Sequence, residues 1–216
     1  MPQFAFEIKD VSKRYGQHWA LARLSYSLPA GKSLLLTGHN GSGKTTLLRM
    51  LATSTFPTFG TMTVLGRDTR QARDEIRPEV ALLSHASFLY EDLSARQNLR
   101  LLASLMGIAD AKKVCDELIT RVHLNTRGDN PVREYSAGMR KRVAIARLLL
   151  KAPKLALLDE PFGELDPQGI LEMEALIAEL KAKGTSLVLA THLIEQGQRL
   201  TDERLHLQAG RVGEVT

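Results

Sequence analysis

Residues 38–46 read Gly-His-Asn-Gly-Ser-Gly-Lys-Thr-Thr, a complete G-x-x-x-x-G-K-[ST] loop between the apolar run Leu34–Leu36 and the apolar helical run Leu47–Leu51. A strand that ends in a glycine-rich turn and re-enters as a helix aims several backbone N–H groups, and the positive end of the helix dipole, at one point. A polyanion suits such a point. Gly38, Gly41 and Gly43 permit positive φ and close backbone approach, with His39, Asn40 and Ser42 completing the turn. Lys44 supplies a mobile cation for terminal phosphates, Thr45 a hydroxyl for Mg²⁺, and Thr46 follows on the same helix start. The expected ligand is a nucleoside triphosphate, ATP or GTP.

A second chemical element is Leu155-Ala156-Leu157-Leu158-Asp159-Glu160, an apolar strand ending in adjacent acids. Side chains alternate along a strand, so the two carboxylates should differ in environment and role. Asp159 is placed to offer Mg²⁺ a hard oxygen, leaving Glu160 to orient or deprotonate an attacking water. A third element is Tyr135-Ser136-Ala137-Gly138-Met139, directly before a basic helix and, at Gly138, 17 residues ahead of Leu155. Ser136 could be an ordinary helix cap. With Gly138 and a helix N-terminus beside it, it also makes a second anion cradle. Lastly, Thr191-His192 follows the apolar run Leu187–Ala190, 32 residues beyond Glu160.

Positioning these groups requires a particular set of elements. Leu34–Thr37, Val80–Ser84, Leu155–Asp159 and Leu187–Ala190 are continuous apolar runs, the pattern of parallel strands covered on both faces. Alternation over Phe4–Val11 and Leu24–Leu28 predicts half-buried antiparallel strands. Helical spacing covers about Lys44–Ala52, Ala95–Met106, Ala111–Val122, Ala137–Leu150, Pro167–Lys183 and Leu193–Leu200, and the chain closes with a hairpin over Arg204–Gln208 and Arg211-Val212. The prediction is an α/β domain spanning 1–216. Its core lobe comprises about 1–85 and 151–216, and a helical subdomain over about 86–150 is inserted into it.

Composition narrows the setting. The 216 residues can bury a sizeable core, and with Cys115 as the only cysteine no disulfide framework exists. Cys115 reads as a half-buried helical thiol, and a reducing, intracellular setting is expected. The first ten residues mix acid and base without a signal-peptide layout, and no run of 18 apolar residues predicts a membrane span. A net charge of +5 raises the question of nucleic acid. The basic cluster Arg140-Lys141-Arg142 with Arg147 and Lys151 reads instead as a solvated helix face, and stacking aromatics and arginine-rich tails are absent, so no nucleic-acid partner is expected.

Together these segments resemble the nucleotide-binding subunit of an ABC transporter, a P-loop NTPase, over nearly the whole chain. The resemblance implies further roles. Tyr15, in Lys13-Arg14-Tyr15-Gly16, stands where the family stacks an aromatic on adenine. Ser136–Met139 stands at the signature motif, Leu165-Asp166 at the D-loop, and His192 at the switch histidine that contacts the γ-phosphate. It also implies Mg-ATP as the bound species and a head-to-tail homodimer closing over two nucleotides. An integral membrane permease would be the partner, and the location the cytoplasmic side of the inner or plasma membrane, peripherally attached. The residues alone leave open whether the two cradles meet one nucleotide within the chain or two across a two-fold axis.

Four positions depart from the family pattern. His85 replaces the glutamine that follows the strand at Val80–Ser84. Imidazole is a poor ligand for Mg²⁺, so coupling there would run through water or packing. In the signature, Tyr135, Ala137 and Met139 replace leucine, glycine and glutamine. His85, the Phe88–Leu99 stretch, the Tyr15–Leu21 opening and Leu165–Gly169 resemble the ATPase subunit of the cytochrome c maturation complex, the haem exporter. ATPases of ABC-2 type exporters share several of these features, and nothing in the chain binds haem. From other classes, a small-molecule kinase and a soluble ABC protein acting on DNA or ribosomes are alternatives. The paired acids with Ser136–Gly138 and His192 favour hydrolysis over the first, and the lack of a second cassette or long coiled coil disfavours the second.

Overall fold

The computed structural model describes residues 2–84 and 88–213. The chain opens with β1 (Phe4–Tyr15) and β2 (His18–Pro29), an antiparallel pair longer than the alternation predicts because the register shifts between Ile8 and Lys13 break the period. β3 (Ser33–Thr37) leads into α1 (Lys44–Leu51), and β4 (Phe59–Val64) returns to pair with β1. The sequence reading leaves β4 unmarked, although Met62 and Val64 alternate inward from it. Short β5 (Arg67–Asp68) and α2 (Arg73–Ile76) connect to β6 (Val80–Leu83).

Helices α3 (Ala95–Leu105), α4 (Ala111–Arg121) and α5 (Ala137–Lys151) follow, then β7 (Leu155–Asp159), α6 (Pro167–Ala182) and β8 (Ser186–Ala190). α7 (Ile194–Leu200) and the hairpin β9 (Glu203–Gln208) and β10 (Arg211–Val212) complete the chain. Local chemistry sets these ends. Ser94 and Gln97 form a reciprocal capping box on α3, and Asp166 caps α6 immediately before Pro167. α5 stops at Ala152, left-handed at φ 43°, one residue before Pro153.

Two sheets result, in the orders β2-β1-β4-β5 and β10-β9-β3-β8-β7-β6. In the second, β9, β3, β8, β7 and β6 all run parallel. The architecture is therefore the expected one, a parallel-rich sheet with an antiparallel β portion and a run of helices between two of its strands. β9 does more than the predicted hairpin, since it also extends the parallel sheet beside β3.

Alternation within the continuous apolar strands splits the core in two. Leu34, Leu36, Leu155, Leu157 and Val188 face a cluster with Phe6, Leu24, Leu47, Leu51 and Met62. Leu35, Ala156, Leu158, Leu187 and Leu189 face the other side, against Leu148, Met173 and Ile177. Each strand is thus apolar throughout because it has no solvent face. A third cluster joins α3, α4 and α5 through Leu99, Cys115, Ile119, Val132, Val143 and Ala146. Cys115 is fully buried rather than half-buried, and burial raises its pKa. Replacing Leu157, fully buried in β7, with alanine should lower stability by about 2–5 kcal/mol. Urea unfolding measures it, and a loss under about 1 kcal/mol would contradict so closed a core.

Candidate nucleotide site

In a parallel sheet all strands end at one edge, and ligands bind in the crevice beyond the carboxyl ends. Here Leu36 of β3 and Asp159 of β7 both pair with Ala190 of β8, so the Gly38–Thr46 loop, the acids and the Thr191-His192 corner leave the sheet side by side. Between them lies a cleft of about 430 Å³ lined by Tyr15, Asn40, Gly41, Gly43, Lys44, Thr45, Thr46, Asp159 and Glu160, with His18 and Ala20 of β2.

The loop is shaped for an anion. Gly38, Gly41 and Gly43 all have positive φ, and a Cβ on Gly43 would stand 2.5 Å from the Ala20 carbonyl oxygen. Gly43 is the N-cap of α1 and offers no side-chain cap, and no acid lies in the first turn. The leading N–H groups of α1 therefore lack a side-chain acceptor and an acidic neighbour, whereas α3, α5 and α6 carry side-chain caps. Lys44 Nζ donates to the Gly38 and His39 carbonyls at 2.6 and 3.1 Å, which holds the ammonium over the loop. His39 itself contacts the Asn40 carbonyl through Nδ1 at 2.8 Å, while Ser42 is buried beneath the loop.

Thr45 Oγ1 donates to Asp159 Oδ2 at 2.8 Å, joining the start of α1 to the end of β7. Burial raises the Asp159 pKa, and the Thr45 hydrogen bond and the Lys44 charge oppose that rise. A buried carboxylate next to a hydroxyl, both hard oxygen donors, fits a divalent cation such as Mg²⁺. Glu160 is different. It adopts φ 48°, rare for a residue with a Cβ, and its Oε2 lies 2.9 Å from His192 Nδ1. The alternation argument holds in this sense: one acid is buried at the strand end and its neighbour turns toward the histidine.

Tyr15 is 47% exposed at the cleft mouth, with Lys13 Nζ 4.9 Å from its ring centroid. Ser136 caps α5 by accepting from the Met139 N–H at 3.2 Å, which leaves its own proton free to donate. Neither Ser136 nor Gly138 lines the cleft among the described residues. Asp166 accepts from Gly169 N at 2.7 Å, an N-cap role for the D-loop acid. His85 lies outside the described residues. Tyr135, at the signature's first position, is buried and donates through its hydroxyl to the Arg127 carbonyl.

The basic cluster is not a solvated face. Lys141 is buried and donates to the Glu160 carbonyl, Arg142 pairs with Glu172, and Arg147 donates to the Phe88 carbonyl. Lys151 donates to the Arg77 and Val80 carbonyls, and burial with the Arg147 and Arg77 charges lowers its pKa to about 8. The missed signal is helical spacing: Lys141, Ala144, Ile145 and Leu148 share a face, and the last three pack on the core.

Residues 21–163 match the protein-family profile described as ABC transporter. The chain is 36% identical over 214 residues to the daunorubicin resistance ATP-binding protein DrrA3 of Streptomyces coeruleorubidus, covering 98% of this chain and 68% of that one. It is 33% identical over 207 residues to the Nod factor export ATP-binding protein I of Cupriavidus metallidurans, covering 95% and 68%. Against the lantibiotic transport ATP-binding protein SrtF of Streptococcus pyogenes it is 31% identical over 196 residues, covering 91% and 83%.

Among solved structures, an ATP binding subunit of an ABC transporter superposes with a TM-score of 0.89 at 29% identity, covering 97% of this chain and 88% of that one. A dimeric ATP-binding cassette in a post-hydrolysis state, bound to ADP and Pi, superposes with a TM-score of 0.88 at 25% identity, covering 97% of each. No helix of the described residues is long and apolar enough to cross a membrane. The profile, the relatives and the loop-and-acid geometry agree: this chain belongs to the ABC transporter family, as one of its ATP-binding subunits and an ATPase.

Proposed function

We propose that the chain binds and hydrolyses Mg-ATP to drive a separate membrane permease of an ABC-2 type exporter. The observation that carries this is the Thr45–Asp159 hydrogen bond, which brings the phosphate loop and a buried acid side by side in one cleft. Lys44 and the loop amides Gly38–Thr46 stabilise charge on the transferring phosphoryl group, and Tyr15 packs on the adenine. Thr45 and Asp159 would hold Mg²⁺, which would supply positive charge to the terminal phosphates. Glu160 orients and deprotonates the attacking water, with His192 Nδ1 at its carboxylate.

The second cradle supports a dimer. Ser136 and Gly138 do not line the cleft of their own chain, so a head-to-tail partner would bring its own pair over the nucleotide. A solved cassette of the same fold is dimeric with ADP and Pi. Residues 86–150, centred on the α3–α5 cluster, then act as the lobe that presents the cradle. The membrane face, on this reading, is the cytoplasmic one.

The relatives favour the ABC-2 exporter reading over the cytochrome c maturation one, because they are named for daunorubicin resistance, Nod factor export and lantibiotic transport. Features shared with the haem exporter subunit, such as Leu165–Gly169, do not separate the two.

Two experiments test this reading. Glu160→Gln should bind ATP, accumulate as a nucleotide-sandwiched dimer on gel filtration and lose about 10²–10⁴ in steady-state turnover. Normal turnover would refute the role of Glu160. Tagged chain purified from its native membrane should bring down one integral membrane protein in comparable amount. Haem-handling companions in that preparation would return the assignment to the cytochrome c maturation type.

A further inference from the structure

Lys141 is a buried cation near the start of α5, 5% exposed. Its Nζ donates to the Glu160 backbone carbonyl at 2.9 Å. Burial disfavours its charged form, while the carboxylates of Glu164, Asp159 and Glu160 favour it. A buried ammonium is costly unless its surroundings compensate, and here a backbone carbonyl accepts from it and the charges of three acids offset part of the burial cost.

What it holds is a strained residue. Glu160 sits at φ 48° and Glu164, in the same turn, at φ 67°. The Glu160 carbonyl accepts from Lys141 and also from Gly163 N at 3.3 Å, and its N–H donates to the Ala190 carbonyl at 2.8 Å. Three hydrogen bonds thus fix the peptide groups on either side of its Cα, and the side chain between them ends 2.9 Å from His192 Nδ1. α5 touches the turn a second time. A Cβ on Gly138 would stand 3.0 Å from the Glu164 carbonyl oxygen, so the signature end of the helix lies against the other left-handed residue. Both strained positions of the 160–164 turn therefore rest on the first two turns of α5, whose N-cap is Ser136.

We propose that Lys141 is a positioning residue for hydrolysis: its ammonium holds the Glu160 main chain in the left-handed turn that aims the carboxylate, and so ties the Ser136 end of α5 to the group that handles water. The inference rests on the role given to Glu160 above. Displacing the N-terminal end of α5 would then reach Glu160 through one hydrogen bond, with the Lys141 side chain as the single link.

Steady-state kinetics of the purified full chain test it. Lys141→Met should lower kcat about 10- to 100-fold with the KM for Mg-ATP changed less than about twofold, because the lost interaction serves the reacting geometry and not nucleotide binding. Lys141→Arg, which keeps a cationic donor, should recover to within about threefold of the parent. In a Glu160→Gln background, Lys141→Met should cost nothing further, since a residue acting through Glu160 has nothing left to position. Lys141→Met turning over within about twofold of the parent overturns the proposal, as do an arginine variant no better than methionine and a loss expressed mainly in KM. If the methionine variant fails to fold, Lys141→Gln, uncharged and with its donor one bond nearer the backbone, replaces it and should show the same fall in kcat at little-changed KM, with near-parental kcat overturning the proposal. Should Glu160→Gln itself turn over normally, the role of Glu160 fails first. If Glu160→Gln is inactive while Lys141→Met is not, the positioning role alone falls.

Discussion

The structure depends on one constraint, that a buried carboxylate at the end of β7 must face the first turn of α1. Asp159 is almost fully enclosed, and burial by itself pushes its pKa upward. A charge in such a place persists through what surrounds it, here the Thr45 hydroxyl and the Lys44 ammonium. Parallel pairing supplies the alignment. β8 stands between β3 and β7 in matched register, so the loop after β3 and the acids after β7 emerge at one level, and a shift of one residue would turn Asp159 to the other face of the sheet.

α5 is the second organising element. Through Leu148 it joins the core under the sheet, and through Val143, Ala146 and Leu150 it joins the α3–α4 cluster, so one helix belongs to two hydrophobic assemblies. Its cations are spent inside the molecule. Lys141, Arg147 and Lys151 each donate to a backbone carbonyl at the edge of the sheet or just beyond it, at Glu160, Phe88, Arg77 and Val80. A positive net charge therefore says less about an external polyanion than composition alone implies.

Much of this was legible in the residues because it depends on local pattern. The loop at 38–46 is recognisable from spacing, and four strands, three of them buried throughout, announce themselves as apolar runs. What escaped depends on neighbours distant in sequence. β4 alternates only from Thr61 onward, because Phe59 and Gly60 lie exposed at the rim. Lys141 reads as surface by residue type, and the acceptor that its buried ammonium finds, the Glu160 carbonyl, is 19 residues away. Glu160 takes up the left-handed conformation without being a glycine, so its residue type does not advertise the turn. The fold was thus more readable than the site's supports, since supports are made of long-range backbone contacts that spacing does not encode.

The account's central claim is that a triphosphate is clamped between the Lys44 loop and the Asp159 edge of the sheet. Calorimetric titration of ATP into Lys44→Ala, with magnesium present and the fold checked by thermal melting, tests it most directly. The lost charge-assisted contacts predict affinity at least about tenfold weaker than the parent, roughly 1.4 kcal/mol or more. Affinity within about twofold of the parent, in a variant that melts like it, would contradict the claim.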